Sequence, residues 1–286
     1  MSVHVFAQAD PIASNPAGEF VVAGLTFEQP GAEKPYTYAY EPPAGVAWSR
    51  GVSRAETVRI ENARPIAGAL SLDVEGLAVV RRASAVRDFW DEAQTLALGH
   101  PETAQLVKDV TGASRVVVFD HTLRRRAVGT ADRTPGAPRQ PATRAHVDQT
   151  VASGPQRVRD VMGDQAEALL SRRAAIINVW RPIAHAARDW PLAVADARSV
   201  KTRDLVASDL IFRHRQGEIY LLAHDPAQRW LYIPDLEVDE AILIKCWDSD
   251  PSVARFAPHT AFEDPTTPPG TPPRESIEFR TIAFFD

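Results

Sequence analysis

The chain has 286 residues, 44% hydrophobic and 24% charged, ordinary values for a globular protein of one large domain or two small ones. Its net charge of -5 and pI near 5.9 give no basic footprint for nucleic acid. Cys246 is alone, Met1 to Gly18 lack a signal-peptide pattern, and no stretch approaches the ~18 apolar residues of a spanning helix, so no internal disulfide and no membrane segment are expected, and the location expected is cytoplasmic.

The first sixty or so residues read as extended, with β-prone runs at Phe20-Val21-Val22 and Tyr36-Thr37-Tyr38-Ala39-Tyr40. Tyr36, Tyr38 and Tyr40 repeat with strand period and are expected to pack one face on the body of the protein. Residues 83–98 are amphipathic at helical spacing; 101–111 continue as a second helix closed by Gly112. Arg115-Val116-Val117-Val118-Phe119-Asp120 reads as a buried strand. Residues 127–145, rich in Pro, Gly, Arg and Thr, read as a loop and a candidate lid. A helix is predicted over 153–173, with Val158, Val161, Met162, Ala166, Leu169 and Leu170 on one stripe. Strands follow at 175–180, 209–214, 218–224, 228–233, 241–247 and 276–285, and the Asp225-Pro226-Ala227 turn suggests a hairpin of 218–224 with 228–233. Without repeats or a clean linker, the fold expected is mainly β with flanking helices: a two-sheet jelly roll. One domain would span 1–286, with 1–114 a β/α extension packed on the barrel and 115–286 the core.

His146-Val147-Asp148 is the chemical landmark. On a strand, residues i and i+2 point the same way, so His146 and Asp148 share a face. A later histidine, His259, can complete the two-histidine, one-carboxylate set that holds Fe(II) and leaves positions open for oxygen and substrates. Pro258 restricts the backbone at His259, as a ligand needs; a hydrogen-bonded core histidine is the ordinary alternative.

Farther on, Arg274, Ser276, Glu278 and Arg280 share one face of the last strand, where buried charges need partners or a polar cavity. Arg274 is the first choice to hold the distal carboxylate of 2-oxoglutarate, with Ser276 assisting and Arg280 the alternative. Lys245, Asn178, Trp180 and Arg181 are candidates to line the substrate pocket; for Trp180 a core position, and for Arg181 a surface ion pair, weigh about equally. His121 is expected to be structural or supporting, and His224 belongs to a turn. His4, His100, His185 and His214 have no partner at ligand spacing. On this reading 2-oxoglutarate is decarboxylated to succinate and CO2, and a ferryl oxidant attacks the substrate. Two rivals stay open: a non-catalytic small-molecule-binding jelly roll, and a metal enzyme that uses the same triad without 2-oxoglutarate.

The stretches Phe119-Asp120-His121-Thr122, His146-Val147-Asp148, Asn178-Val179-Trp180-Arg181-Pro182, Pro191-Leu192-Ala193-Val194-Ala195-Asp196-Ala197-Arg198-Ser199, Lys245-Cys246-Trp247-Asp248-Ser249, Pro258-His259-Thr260-Ala261-Phe262 and Arg274-Glu275-Ser276-Ile277-Glu278 carry a resemblance. In this order, over 115–285, the chain resembles the CmcJ/NvfI-type (gibberellin-desaturase-like, AsaB-like) family of non-haem iron oxidoreductases. The resemblance implies a double-stranded β-helix (jelly-roll, cupin-like) fold, Fe(II), 2-oxoglutarate as cosubstrate, and O2. It places the ligand roles on His146, Asp148 and His259 and the carboxylate role on Arg274 or Arg280. Hydroxylation, desaturation, endoperoxide formation and ring formation all occur in such a family, so a small natural-product or amino-acid-derived substrate is expected with the outcome open. No nucleic acid or membrane partner is expected, and a homodimer is left open.

Overall fold

A computed structural model describes residues 18–127, 129 and 138–286. Two sheets form the body. The larger has ten strands in the order Phe20–Gln29, Val52–Asn62, Trp230–Tyr232, Leu192–Ala195, His259–Ala261, His146–Val147, Gln216–Leu222, Leu205–Ile211, Tyr36–Tyr38 and Ser49–Arg50. The smaller runs Leu77–Arg81, Glu240–Asp248, Ala174–Pro182, Glu275–Phe284, Arg115–Arg125. Sequence neighbours are seldom sheet neighbours, as expected where a chain wraps alternately between two sheets. This is a jelly roll.

The central strand Ala174–Pro182 is buried along its whole length, because both of its faces are covered. Ile176 and Trp180 face the larger sheet and pack with Val147, Val194 and Leu231; Ala175, Ile177 and Val179 face outward beneath Phe89, Leu106 and Val107. Burying such side chains stabilises each sheet by ~25 cal/mol per Å² of apolar surface removed from water. The inward face of the smaller sheet is where the polar side chains of the last strand converge.

The helices differ from expectation for local reasons. Residues 83–91 form turns, since Asp91 caps Ala93 and Gln94 and starts the helix only at Glu92. Thr95–Gly99 is a π turn, and His100–Thr111 follows it to Gly112, which ends the helix at φ 73°. The predicted 153–173 helix breaks at Gly163, φ 53°, into Ser153–Met162 and Ala166–Leu170.

One further expectation, the hairpin at 225–227, is corrected. Strand 216–222 pairs with Leu205–Ile211, whereas Trp230–Tyr232 pairs with Leu192–Ala195 and Val52–Asn62, so Asp225-Pro226-Ala227 carries the chain across the sheet and makes no hairpin. The N-terminal segment joins the core by backbone pairing, supplying Leu77–Arg81 to the smaller sheet and Phe20–Gln29 and Val52–Asn62 to the larger. Tyr36, Tyr38 and Tyr40 form an edge-to-face ladder with centroids 5.7 and 5.5 Å apart. The middle of the stretch expected as a lid lies outside the described residues.

One close approach fixes the helix nearest the site. A Cβ on Gly154 would lie 2.5 Å from ring atoms of Trp247, so only glycine lets Ser153–Met162 sit so near that ring.

Candidate metal and cosubstrate site

His259 is the direct antiparallel partner of His146, which puts the two rings side by side with centroids 4.7 Å apart. Asp148 follows two residues beyond His146. One ligand atom from each of the three lies within 4.8 Å of the others.

Each imidazole is held in one tautomer. His146 Nδ1 donates to the Arg144 carbonyl at 2.8 Å and His259 Nδ1 to that of Ala257 at 3.1 Å, leaving both Nε2 lone pairs for a metal. His259 Nε2 is buried without a hydrogen-bond partner, a cost a metal ion would relieve. Asp148 accepts from Asn178 Nδ2 and Arg280 Nε, both at 2.8 Å on Oδ2, while Oδ1 lies 3.5 Å from His146 Nε2. Burial alone would raise this carboxyl; Arg280, then His146 and His259, hold it well below the usual carboxylate range. Burial, and then His146, lower His259. A neutral imidazole and an ionised carboxylate are the protonation states that bind Fe(II), so the residues fit the metal.

Arg274 is fully buried. Its Nη1 donates to the Trp190 carbonyl at 2.5 Å, its guanidinium lies 5.3 Å from the Trp180 ring centre, and its Nε has no partner. Trp190 sits at φ 48°, rare for a bulky residue, where its carbonyl meets the guanidinium. Among the described residues no carboxylate contacts that guanidinium. Burial, then the positive charge of Arg124, pushes Arg274 down to about 9. The buried Ser276 hydroxyl is also unpartnered, and Arg124 is its register neighbour. Arg280, the alternative, is already engaged by Asp148, by Glu278 at 2.6 Å and by Thr122 at 2.8 Å.

The pocket candidates divide by face. Asn178 and Trp180 point inward. Arg181 points outward, donating to the carbonyls of Arg82 and Val238, because alternation puts it on the helix-covered side. Lys245, opposite Ile177, also lies on that side, with Nζ bound to Asp73 and Asp248 at 2.8 and 2.5 Å. Neither lines the inner cavity. His121 meets His100 at 3.1 Å, beside Phe279 on the outward face, so His100 does have a partner.

Sequence reasoning missed the cavity of about 390 Å³ that reaches Asp148 between helix Ser153–Met162 and the hairpin of 205–222. Its walls include Arg157, Leu210, Phe212, Arg215 and Ile219. These residues come from two distant segments, and only the folded chain brings them together. Glu278 was placed on the polar face of the last strand without a role, and Arg124, its neighbour across the sheet's inward face, was passed over although alternation marked it.

A jelly roll with two histidines and one carboxylate at its centre defines the class of mononuclear non-haem iron oxygenases. Residues 25–284 match the family model described as "Oxidoreductase/YMDC permease-like domain". The chain is 30% identical over 269 residues to the Fe(II)/2-oxoglutarate-dependent dioxygenase NvfI of Aspergillus novofumigatus, covering 91% of this chain and 95% of that protein. It is 31% identical over 252 residues to the hydroxylase/desaturase EfuI of Hormonema carpetanum, covering 81% and 84%. It spans only 56% of aspirochlorine biosynthesis protein N of Aspergillus oryzae, at 38% identity over 135 residues. The solved structure of the iron and alpha-ketoglutarate-dependent endoperoxidase NvfI superposes with a TM-score of 0.85 at 29% identity, covering 93% of this chain and 98% of that one. The chain belongs to this family of Fe(II)- and 2-oxoglutarate-dependent oxygenases. Its cofactor is Fe(II), its cosubstrates 2-oxoglutarate and O2, and no helix among the described residues is long and apolar enough to cross a membrane.

Proposed function

We propose that this oxygenase holds Fe(II) with His146, Asp148 and His259, anchors 2-oxoglutarate on Arg274 and Ser276, and oxidises a small natural-product-like molecule. The observation that carries the reading is Arg274, a buried guanidinium without a carboxylate partner, beside a buried hydroxyl that also lacks one. An unpaired buried cation is costly, and a dicarboxylate removes the cost through charge-assisted hydrogen bonds. Arg280 instead orients Asp148.

Bound Fe(II), with 2-oxoglutarate and O2, supplies the oxidant, and succinate and CO2 leave. The chain's own part is positional. The Arg144 and Ala257 carbonyls aim the two imidazoles, Asn178 and Arg280 fix the carboxylate, and Trp180 and Trp190 hold the Arg274 head in place. Substrate reaches the centre through the cavity beside Asp148. Hydroxylation, desaturation and cyclisation share this arrangement; the carbon presented to the iron decides among them. We place this activity in the cytoplasm, in one catalytic unit.

Anaerobic addition of Fe(II) and 2-oxoglutarate should produce the weak visible charge-transfer band of a chelated 2-oxo acid. The band should vanish in His146→Ala and need far more 2-oxoglutarate in Arg274→Gln. Bound iron without the band would point to an oxygenase that does not use 2-oxoglutarate.

A further inference from the structure

The cavity that opens onto Asp148 has a charge pattern that the metal and the cosubstrate do not use. Arg157, from helix Ser153–Met162, and Arg215, from the turn of the 205–222 hairpin, both line it. Arg157 Nε is buried without a hydrogen-bond partner, and its nearest carboxylate oxygen, on Asp160, stands off at 3.9 Å. The Arg215 guanidinium makes no hydrogen bond or ion pair among the described residues. It sits over the Phe212 ring, 3.7 Å from its centre, and its Nη1 passes over Gly217, where a Cβ would lie 3.4 Å away. Stacking on an aromatic face orients a guanidinium before any ligand arrives.

The acids on the same walls are already engaged: Asp160 accepts from Gln156 Nε2 at 2.8 Å and stands 3.9 Å from Arg157. Lys34 bridges Asp209 and Glu218, and Glu218 also accepts from the Thr150 hydroxyl at 2.5 Å. The two arginines thus present donors at one end, Asp148 lies at the other, and Leu210, Phe212 and Ile219 supply apolar surface. Arg215 feels Arg157 directly: burial first, and then that like charge, push it down. An anion bound by both would relieve the repulsion.

We propose that the substrate is a carboxylic acid with a mainly apolar body, its carboxylate held by Arg157 and Arg215 and its far end reaching the metal at Asp148. The volume suits a small molecule and excludes a folded protein. This inference rests on the oxygenase reading for the direction in which the substrate lies.

The test uses protein loaded with Zn(II) and then 2-oxoglutarate, so that Arg274 is already engaged. 4-Phenylbutyrate, decanoate and 2-naphthoxyacetate are titrated by calorimetry beside their methyl esters. At least one acid should bind roughly tenfold or more tightly than its ester, the scale of a charge-assisted contact. Arg157→Gln with Arg215→Gln should bring that ratio to about one while 2-oxoglutarate affinity stays the same, and Arg215→Lys should keep part of the preference. Equal binding of acids and esters, no binding of any acid, or a preference that survives the double substitution overturns the proposal. A failure of the oxygenase reading looks different: the first titration would then show no Zn(II)-dependent binding of 2-oxoglutarate, whatever the acids do.

Discussion

Asn178 and Arg280 face each other across adjacent strands, and both donate to the same oxygen of Asp148, each at 2.8 Å. Two donors on Oδ2 fix the carboxylate plane and leave Oδ1 turned toward the histidines. The orientation of the one carboxylate in the proposed ligand set is therefore set by the register of the smaller sheet.

Removing Arg280 should damage metal binding more than cosubstrate binding. Arg280→Gln is expected to weaken Fe(II) at least tenfold, the usual scale for losing an outer partner of a ligand, with a smaller change in the KM for 2-oxoglutarate. Arg274→Gln should do the reverse, raising that KM tenfold or more with iron binding intact. Metal titration and 2-oxoglutarate kinetics on both variants check the crossover; swapped effects would reverse the two assignments.

Each histidine of the proposed ligand set should be indispensable. His146→Ala and His259→Ala are each expected to lose stoichiometric Fe(II) and all but a trace of turnover. Iron analysis after desalting reads this directly, and full occupancy in either variant would remove that residue from the ligand set.

Acid should act differently on wild type and Arg280→Gln. The Asp148 carboxyl is depressed in the fold, so it contributes stability that is present above the unfolded pKa of ~3.9 and is lost as pH falls through the folded value. Without Arg280 the carboxyl loses the first of the charges that lower it, so its folded value should rise toward the unfolded one and the variant should lose less stability than wild type between pH 5 and pH 3. Urea unfolding of metal-free proteins at the two pH values tests the difference; other titrating groups are common to both. Parallel behaviour would mean that Arg280 does not control this carboxyl.

The outward-facing ion cluster should matter for stability alone. Lys245 is 1% exposed and Asp248 is completely buried; Arg173 also donates to Asp248, at 2.8 Å. Asp248→Asn would leave the buried Lys245 and the half-buried Arg173 to share Asp73 alone and should cost about 3 kcal/mol. Lys245→Met leaves Asp248 paired with Arg173 and should cost much less. Denaturant midpoints measure both, and the kinetics of any Lys245→Met protein that folds should match wild type.

Much of this site was readable in the chain because alternation is local. His146 with Asp148, and Arg274 with Ser276, follow from spacing within single strands. Pairing is not local: nothing near His146 announces that His259 will be its register partner. Alternation also gives a face without saying which face is inside. Strands 174–182 and 240–248 are apolar on both sides, so Arg181 and Lys245 could not be told from Asn178 and Trp180 by pattern. The 225–227 turn has good turn chemistry, yet its flanking strands pair elsewhere, because tertiary partners outrank loop length. The helix predicted from residue 83 yields to Asp91, whose side chain offers the backbone an alternative until residue 92.

The contact between Gly154 and Trp247 lies behind one wall of the cavity that reaches Asp148. Trp247 belongs to the core, but its ring sets how deeply the helix bearing Arg157 can settle, and so how far that arginine stands from the hairpin opposite. A smaller residue at 247 would let the helix sink and widen the entrance; a methyl at 154 would lift it and narrow the gap. Substrate range can then drift through changes in the core, in a lineage that never alters a residue the substrate touches.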